Sequence, residues 1–192
     1  MYNVEHRIKY KIQRRQDGGY MTGKAGIVSF SGFTKRCAQW IAEDTGLTLC
    51  ELKEIGKDDL KAPYLLIGVP VHSQELCEIR RIRKLLREKS PDTRLILFAT
   101  GLRMPDEKVK ENILKYNFKE QRPEAFFYFT GGLDRDRLTT NEKILLRLQE
   151  MMITRHPDRT ESDLELLRRF KSGGDFTDRG QVQPLVEYLK LL

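Results

Sequence analysis

The residues best suited to chemistry lie together near the start of the chain, in Ser29-Phe30-Ser31-Gly32-Phe33-Thr34. Hydroxyls at Ser29, Ser31 and Thr34 surround a single glycine. An apolar run over residues 25–30, the length of a buried strand, leads into this segment. After it, Cys37, Ala38, Ile41 and Ala42 recur at helical spacing, and Gly46 stops the pattern. Such a strand-to-helix turn has two readings. In one, Thr34 is only the N-cap of the helix. In the other, the outward-pointing amides at the helix start carry partial positive charge and bind a phosphate, with Gly32 allowing close approach and the hydroxyls adding donors. The segment has no Gly-Lys-Ser/Thr and no Gly-x-Gly-x-x-Gly, so it is neither a Walker loop nor a dinucleotide fingerprint.

The elements that must position this loop can be read from hydrophobic patterning. Residues 47–55 alternate as a second strand. Residues 64–69 are nearly all apolar and give a third, 95–99 a fourth and 125–129 a fifth. Between them Leu76, Ile79, Ile82 and Leu86, and then Val109, Ile113 and Tyr116, recur at helical spacing; Val182, Leu185, Val186 and Leu189 form the stripe of a last helix. Apolar strands alternating with helices predict an open parallel α/β sheet covered on both faces. Such sheets bind ligands at the carboxyl ends of their strands. The segments there are 29–34, 68–73, 100–103 and 130–133.

The first of these resembles the FMN-phosphate loop of flavodoxins, Ser/Thr-x-Ser/Thr-Gly-x-Thr. Gly68-Val69-Pro70-Val71-His72 is similar to that family's turn beside the flavin ring, and Phe98-Ala99-Thr100-Gly101-Leu102 to its second ring-flanking loop. Thr130-Gly131-Gly132-Leu133-Asp134 precedes a helical stretch over 141–153, and Gly173-Gly174-Asp175-Phe176-Thr177-Asp178 follows it. That succession resembles the menaquinone-dependent protoporphyrinogen oxidase branch of the flavodoxin superfamily. The resemblance covers residues from about 24 to the C-terminus. It implies a flavodoxin-like three-layer fold with a five-stranded parallel sheet in the order 2-1-3-4-5 and an inserted helical segment at about 133–174. It also implies FMN as cofactor, held by Ser29, Phe30, Ser31, Gly32, Phe33, Thr34, Pro70, Val71, His72, Thr100, Gly101, Leu102, Gly131 and Gly132. The sequence departs from the pattern at Phe33, where many relatives have Asn or Gln, and at Val69, which replaces a hydroxyl residue. His72 stands where Tyr is common, and Arg179 where the branch usually has Trp.

The resemblance implies an FMN-dependent oxidoreductase passing electrons to a quinone or another acceptor. Because electrons would enter the flavin itself, no side chain is assigned as catalytic. A flavodoxin-like electron carrier is the alternative, and an interaction module that has lost FMN, which Phe33 and Val69 keep open, is the second alternative. The net charge of +7 and pI near 9.3 favour anionic partners: a substrate with carboxylates, or an acidic membrane surface. Nucleic acid is not expected. Two segments suggest peripheral membrane contact: a basic helix over 80–89, and residues 144–153, apolar around much of their circumference.

No apolar stretch is long enough to span a bilayer, and the charged start lacks a secretory h-region. Cys37, Cys50 and Cys77 are too few and too scattered for a disulfide framework, which suits a reducing cytoplasm, with the protein at the inner face of the membrane if the two segments act as suggested. Cys37 and Cys77 read as small core residues, Trp40 as a partly buried aromatic, and His72 as a turn residue or ring neighbour, not a metal ligand. Residues 1–23 are read as a basic extension outside the fold, with Asp17-Gly18-Gly19-Tyr20 before Met21 pointing to Met21 as the natural start. The sequence sets no oligomeric state.

Overall fold

The runs at 64–69 and 95–99 hold almost no polar residue, so neither can show a face to water, and both end in the middle of a sheet. In the computed structural model, which describes residues 24–27 and 32–192, they form β3 (Tyr64–His72) and β5 (Arg94–Gly101). The pair is parallel, in register from Tyr64 opposite Arg94 to Pro70 opposite Thr100. Outward on one side lie β1 (Lys24–Ile27) and β2 (Thr48–Glu51), and on the other β6 (Ala125–Thr130), giving the parallel order β2-β1-β3-β5-β6.

Alternation along the central strands divides the core. Leu65, Ile67, Leu95 and Leu97 point to one face, under α2 (Ile79–Glu88) and α3 (Glu107–Asn117). Leu66, Ile96 and Phe98 point to the other, under α1 (Phe33–Thr45) and α6 (Gln183–Lys190). The stripe expected from Val182, Leu185, Val186 and Leu189 is wholly buried, and Trp40 is half-buried beside it. Gly46 ends α1 with its N–H bonded to the Ala42 carbonyl.

Several local expectations are corrected. The second strand stops at Glu51, where a capping box starts a short 3-10 turn at Leu52. The third strand runs on to His72 because β4 (Glu75–Leu76) folds back on it, pairing Val71 with Leu76 and His72 with Glu75. This antiparallel strand is an addition to the five parallel strands, which stand in the expected order, and brings the sheet to six. Leu76 therefore belongs to a strand, and Cys77 lies half-buried between β4 and α2, not on a helical apolar face; Cys37 is buried on α1 as expected. Burial pushes the Cys37 thiol up to about 12, and burial with Glu78 and Glu75 pushes Cys77 up to about 11. Tyr116 is exposed; the inward residues of α3 are Ile113 and Asn117.

The inserted segment forms α4 (Thr140–Arg155) and α5 (Glu161–Ser172), each opened by a capping box, Thr139 with Glu142 and Thr160 with Asp163. A two-stranded antiparallel ribbon ties off its base: β7 (Gly132–Leu133) against β8 (Gly174–Asp175). The glycine-rich stretches on either side of the insertion thus pair with each other. Residues 1–23 lie outside the described residues. No helix among the described residues is long and apolar enough to cross a membrane.

The turn into β4 depends on one buried amide. Asn117 Oδ1 accepts from the Leu76 N–H at 3.0 Å, and its Nδ2 donates to the carbonyls of Ile113 and Gln74. Truncating it leaves the buried Leu76 N–H without its acceptor. Asn117→Ala is expected to lower the stability of the protein by about 2–3 kcal/mol, read from the urea midpoint.

Candidate functional site

The structure starts α1 two residues earlier than a Thr34 cap would require. Gly32 is the N-cap, in a left-handed conformation (φ 86°) that a side chain would strain. Thr34 instead turns inward and is fully buried, its Oγ1 2.6 Å from Thr100 Oγ1 at the end of β5. Ser29, Phe30 and Ser31 lie outside the described residues. The first turn of α1 carries no acidic residue and holds Lys35 and Arg36. Among the described residues nothing stands within 4 Å of where a Gly32 Cβ would be. An open helix start with no acidic residue in its own first turn fits a phosphate group, which would meet there the ion pair of Arg36 with Asp175.

The other expected residues gather at the same end of the sheet. Pro70 lies on β3 opposite Thr100, and Val71 follows it, half-buried. Gly101 closes β5; a Cβ there would meet Tyr128 Oη at 2.5 Å and Val71 Cγ1 at 2.8 Å, so the two strand ends approach closely. The Gly131 N–H donates to the Gly101 carbonyl at 2.7 Å. Gly132 leaves room for the Phe33 ring, which a Cβ would meet at 2.5 Å. The departure at Phe33 therefore has a local use: its half-buried ring is packed against the glycine turn after β6. His72 follows Val71, exposed at the end of β3. It lines a cavity of about 370 Å³ with Glu75, Cys77 and Arg80.

A larger cavity of about 560 Å³ opens between the start of α1 and the base of the insertion. Gly32, Phe33 and Arg36 line one side, and Arg135, Arg137 and Asp175 the other. Its arginines are committed internally. Arg36 pairs with Asp175, Arg137 with Asp134 at 3.0 Å, and Arg135 donates to the Phe170 carbonyl at 2.9 Å.

Residues that sequence reasoning missed tie the insertion to the expected ring-flanking loops. Arg103 pairs with Asp163 of α5 at 2.8 Å, and Arg169 of α5 donates to the Leu102 carbonyl at 2.9 Å. Gln149 of α4 donates to Ser73 Oγ, just beyond His72. The Thr139 hydroxyl and amide, helped by the nearby His72, hold the Glu142 carboxyl below its usual range. The Thr160-x-x-Asp163 spacing was a legible helix-start signal, but nothing in it shows that Asp163 also reaches Arg103.

The model of the flavodoxin domain family matches residues 27–161, most of the chain, and the chain belongs to that family. FMN is the cofactor this membership implies, and the chain has an FMN-binding electron-transfer fold. Among solved structures it is similar to a flavodoxin from the domain Archaea, at 14% identity over 78% of this chain and 98% of that one, with a TM-score of 0.39. It is similar to two-electron reduced Megasphaera elsdenii flavodoxin at 16% identity, over 78% and 99% of the two chains, with a TM-score of 0.40. The rubredoxin:oxygen oxidoreductase of Desulfovibrio gigas matches at 14% identity, over 78% of this chain and 36% of that one, with a TM-score of 0.36. No curated protein matches the chain in sequence.

Two outcomes follow from this geometry. Thr34→Val and Thr100→Val should each cost about 1–3 kcal/mol in urea unfolding by leaving the other hydroxyl buried without its partner, and the double variant should cost less than the two together. The second concerns Asp163. Partial burial pushes its carboxyl up, but the Thr160 amide and hydroxyl and the Arg103 guanidinium outweigh this and hold it at about 2, below the ordinary 3.8. A depressed folded-state value means that its contribution is complete above 3.8 and disappears as pH falls from there toward 2. The stability advantage of the wild type over Asp163→Asn, measured by urea titration across pH, should shrink over that window.

Proposed function

We propose that the chain is an FMN-dependent oxidoreductase of the protoporphyrinogen oxidase kind, taking electrons from a small reduced donor and passing them to a quinone or another acceptor at a membrane surface. Bound FMN would supply the two-electron redox chemistry. The work of the chain is to bind, orient and screen. The amides at the start of α1, with Gly32 and the hydroxyls of Ser29, Ser31 and Thr34, would hold the phosphate. A hydroxyl that accepts from Thr100 can still donate, so the Thr34–Thr100 bond is compatible with that role. Pro70, Val71 and His72 on one side and Thr100, Gly101 and Leu102 on the other would flank the ring, with Gly131 and Gly132 closing the end of β6.

The observation that carries the oxidoreductase reading is α4. No residue of this helix is fully buried. Ile144, Leu145, Leu148, Met151 and Met152 share one stripe and are all exposed, Met152 at 71%, while Leu146 and Ile153 face inward. The helix is fastened beside the ring-flanking turn through Gln149 and Ser73. An apolar stripe there suits an acceptor that partitions into lipid. The basic helix α2 contributes less than its sequence suggests. Ile79, Ile82, Leu85 and Leu86 are buried in the core, and Arg81 and Arg83 are spent on the carbonyls of Leu52, Lys53 and Asn117. It offers outward charge without an apolar face. A carrier of single electrons is the second reading, favoured by the family itself.

Two measurements test the proposal. The protein should take up FMN, and FAD should compete poorly, since the loop suits a terminal phosphate; equal competition by FAD counts against that loop. The protein should also pellet with anionic vesicles at low salt and be released at high salt. Leu145→Glu together with Met152→Glu should lower vesicle binding by about tenfold or more without altering FMN uptake. FMN binding without any vesicle binding would favour the carrier.

A further inference from the structure

β5 ends at Gly101, and Leu102 and Arg103 then pass through an irregular bend whose position is set by side chains from elsewhere. Arg169 of α5, its side chain only 11% exposed, donates through Nη1 to the Leu102 carbonyl at 2.9 Å. The guanidinium cannot swing away freely, because Nε donates to Glu165 at 3.0 Å and the group lies over the Phe176 ring at 4.7 Å. Arg103 reaches back to Asp163 on the same helix at 2.8 Å, and the Thr160 hydroxyl and amide hold that carboxylate in the capping box. From beneath, Tyr128 donates its hydroxyl to the Arg103 carbonyl at 3.2 Å. Two consecutive residues are thus gripped three times, twice from α5.

We propose that Asp163 and Arg169 are positioning residues, through which α5 sets where the loop after β5 stands and thereby how tightly the flavin is held and at what potential. The inference rests on the reading that places Thr100, Gly101 and Leu102 beside the ring. The physical case is preorganisation. A short irregular segment at a sheet end fluctuates unless something fixes it, and a loop that must be ordered on binding subtracts that cost from affinity. Here the ordering is done in advance by a helix that belongs to the insertion and not to the sheet. Because Leu102 is held at its carbonyl, the grip fixes backbone direction whatever side chain stands there. Because both anchors sit on one rigid helix, the loop and α5 move together. The ring environment of this chain is in this way set partly by its insertion, which a flavodoxin without one must arrange differently.

The test uses the full chain and three variants: Arg169→Met, which keeps most of the bulk but removes the donors; Arg169→Lys, which restores one; and Asp163→Asn, which removes the charge at constant shape. Amide hydrogen exchange in FMN-free protein reads the loop directly, and FMN titration and the midpoint potential of the bound flavin read its consequence. Arg169→Met should raise exchange around residues 102–104 about tenfold while β3 and the centre of β5 stay protected. It should also weaken FMN binding by about five- to tenfold with a measurable shift in potential. Asp163→Asn should act in the same direction, and Arg169→Lys should recover part of both effects. Unchanged loop exchange in Arg169→Met and Asp163→Asn would overturn the grip itself. Faster loop exchange with unaltered affinity and potential would overturn its link to the flavin while leaving FMN binding intact. Loss of protection across β3 and β5 would show a merely structural role and overturn the proposal. Failure of the wild-type chain to take up FMN would overturn the cofactor reading beneath it, whatever the exchange pattern.

Discussion

Much of this molecule hangs on one buried contact, the hydroxyl of Thr34 against that of Thr100. The first residues of α1 could lie over the sheet at many angles, because Gly32 imposes little of its own. A polar atom placed in the interior without a partner is costly, so the two threonines choose each other and the helix start is fixed over the end of β5. Once it is there, the Phe33 ring has only the space left by Gly132, and the turn after β6 must pass close beneath it. The candidate phosphate end and the glycine turn at the root of the insertion are brought together by this short chain of constraints.

Much of the fold could be read from the order of residues. Runs such as 64–69 and 95–99 leave no choice but a sheet covered on both faces, and the stripe through Val182, Leu185, Val186 and Leu189 leaves little choice about its helix. What escaped was local and set by partners far away in the chain. β4 exists because Asn117, some forty residues beyond it, supplies an acceptor for the Leu76 amide, and no local pattern at residues 75–76 announces that. Leu76 and Tyr116 match a helical period as well as any core residue does, and only tertiary placement puts the first in a strand and the second in solvent.

The candidate site was legible to a similar degree and for a similar reason. The loops at the strand ends follow from topology, so Pro70, Thr100, Gly101, Gly131 and Gly132 fall at one end of the sheet. The roles of individual side chains did not follow. Thr34 reads as a cap because threonine before an apolar stripe usually is one, yet burial gave its hydroxyl a better-protected partner. Phe33 reads as a lost polar contact, whereas its ring is paired with a glycine distant in sequence. Arg103, Asp163 and Arg169 carry charges typical of any solvated surface, and only the meeting of α5 with the end of β5 gives them a task.

The ribbon of β7 and β8 has a consequence for how such a chain can change over generations. Because Leu133 and Gly174 are hydrogen-bonded neighbours, everything between them begins and ends at one point on the body of the protein. Once the ends of a loop meet, the entropy cost of its length grows only logarithmically, about 0.6 kcal/mol for each doubling. The exposed part of the segment, such as the connection between α4 and α5, can therefore be lengthened or trimmed with little penalty to the sheet, while α5 stays bound to the end of β5.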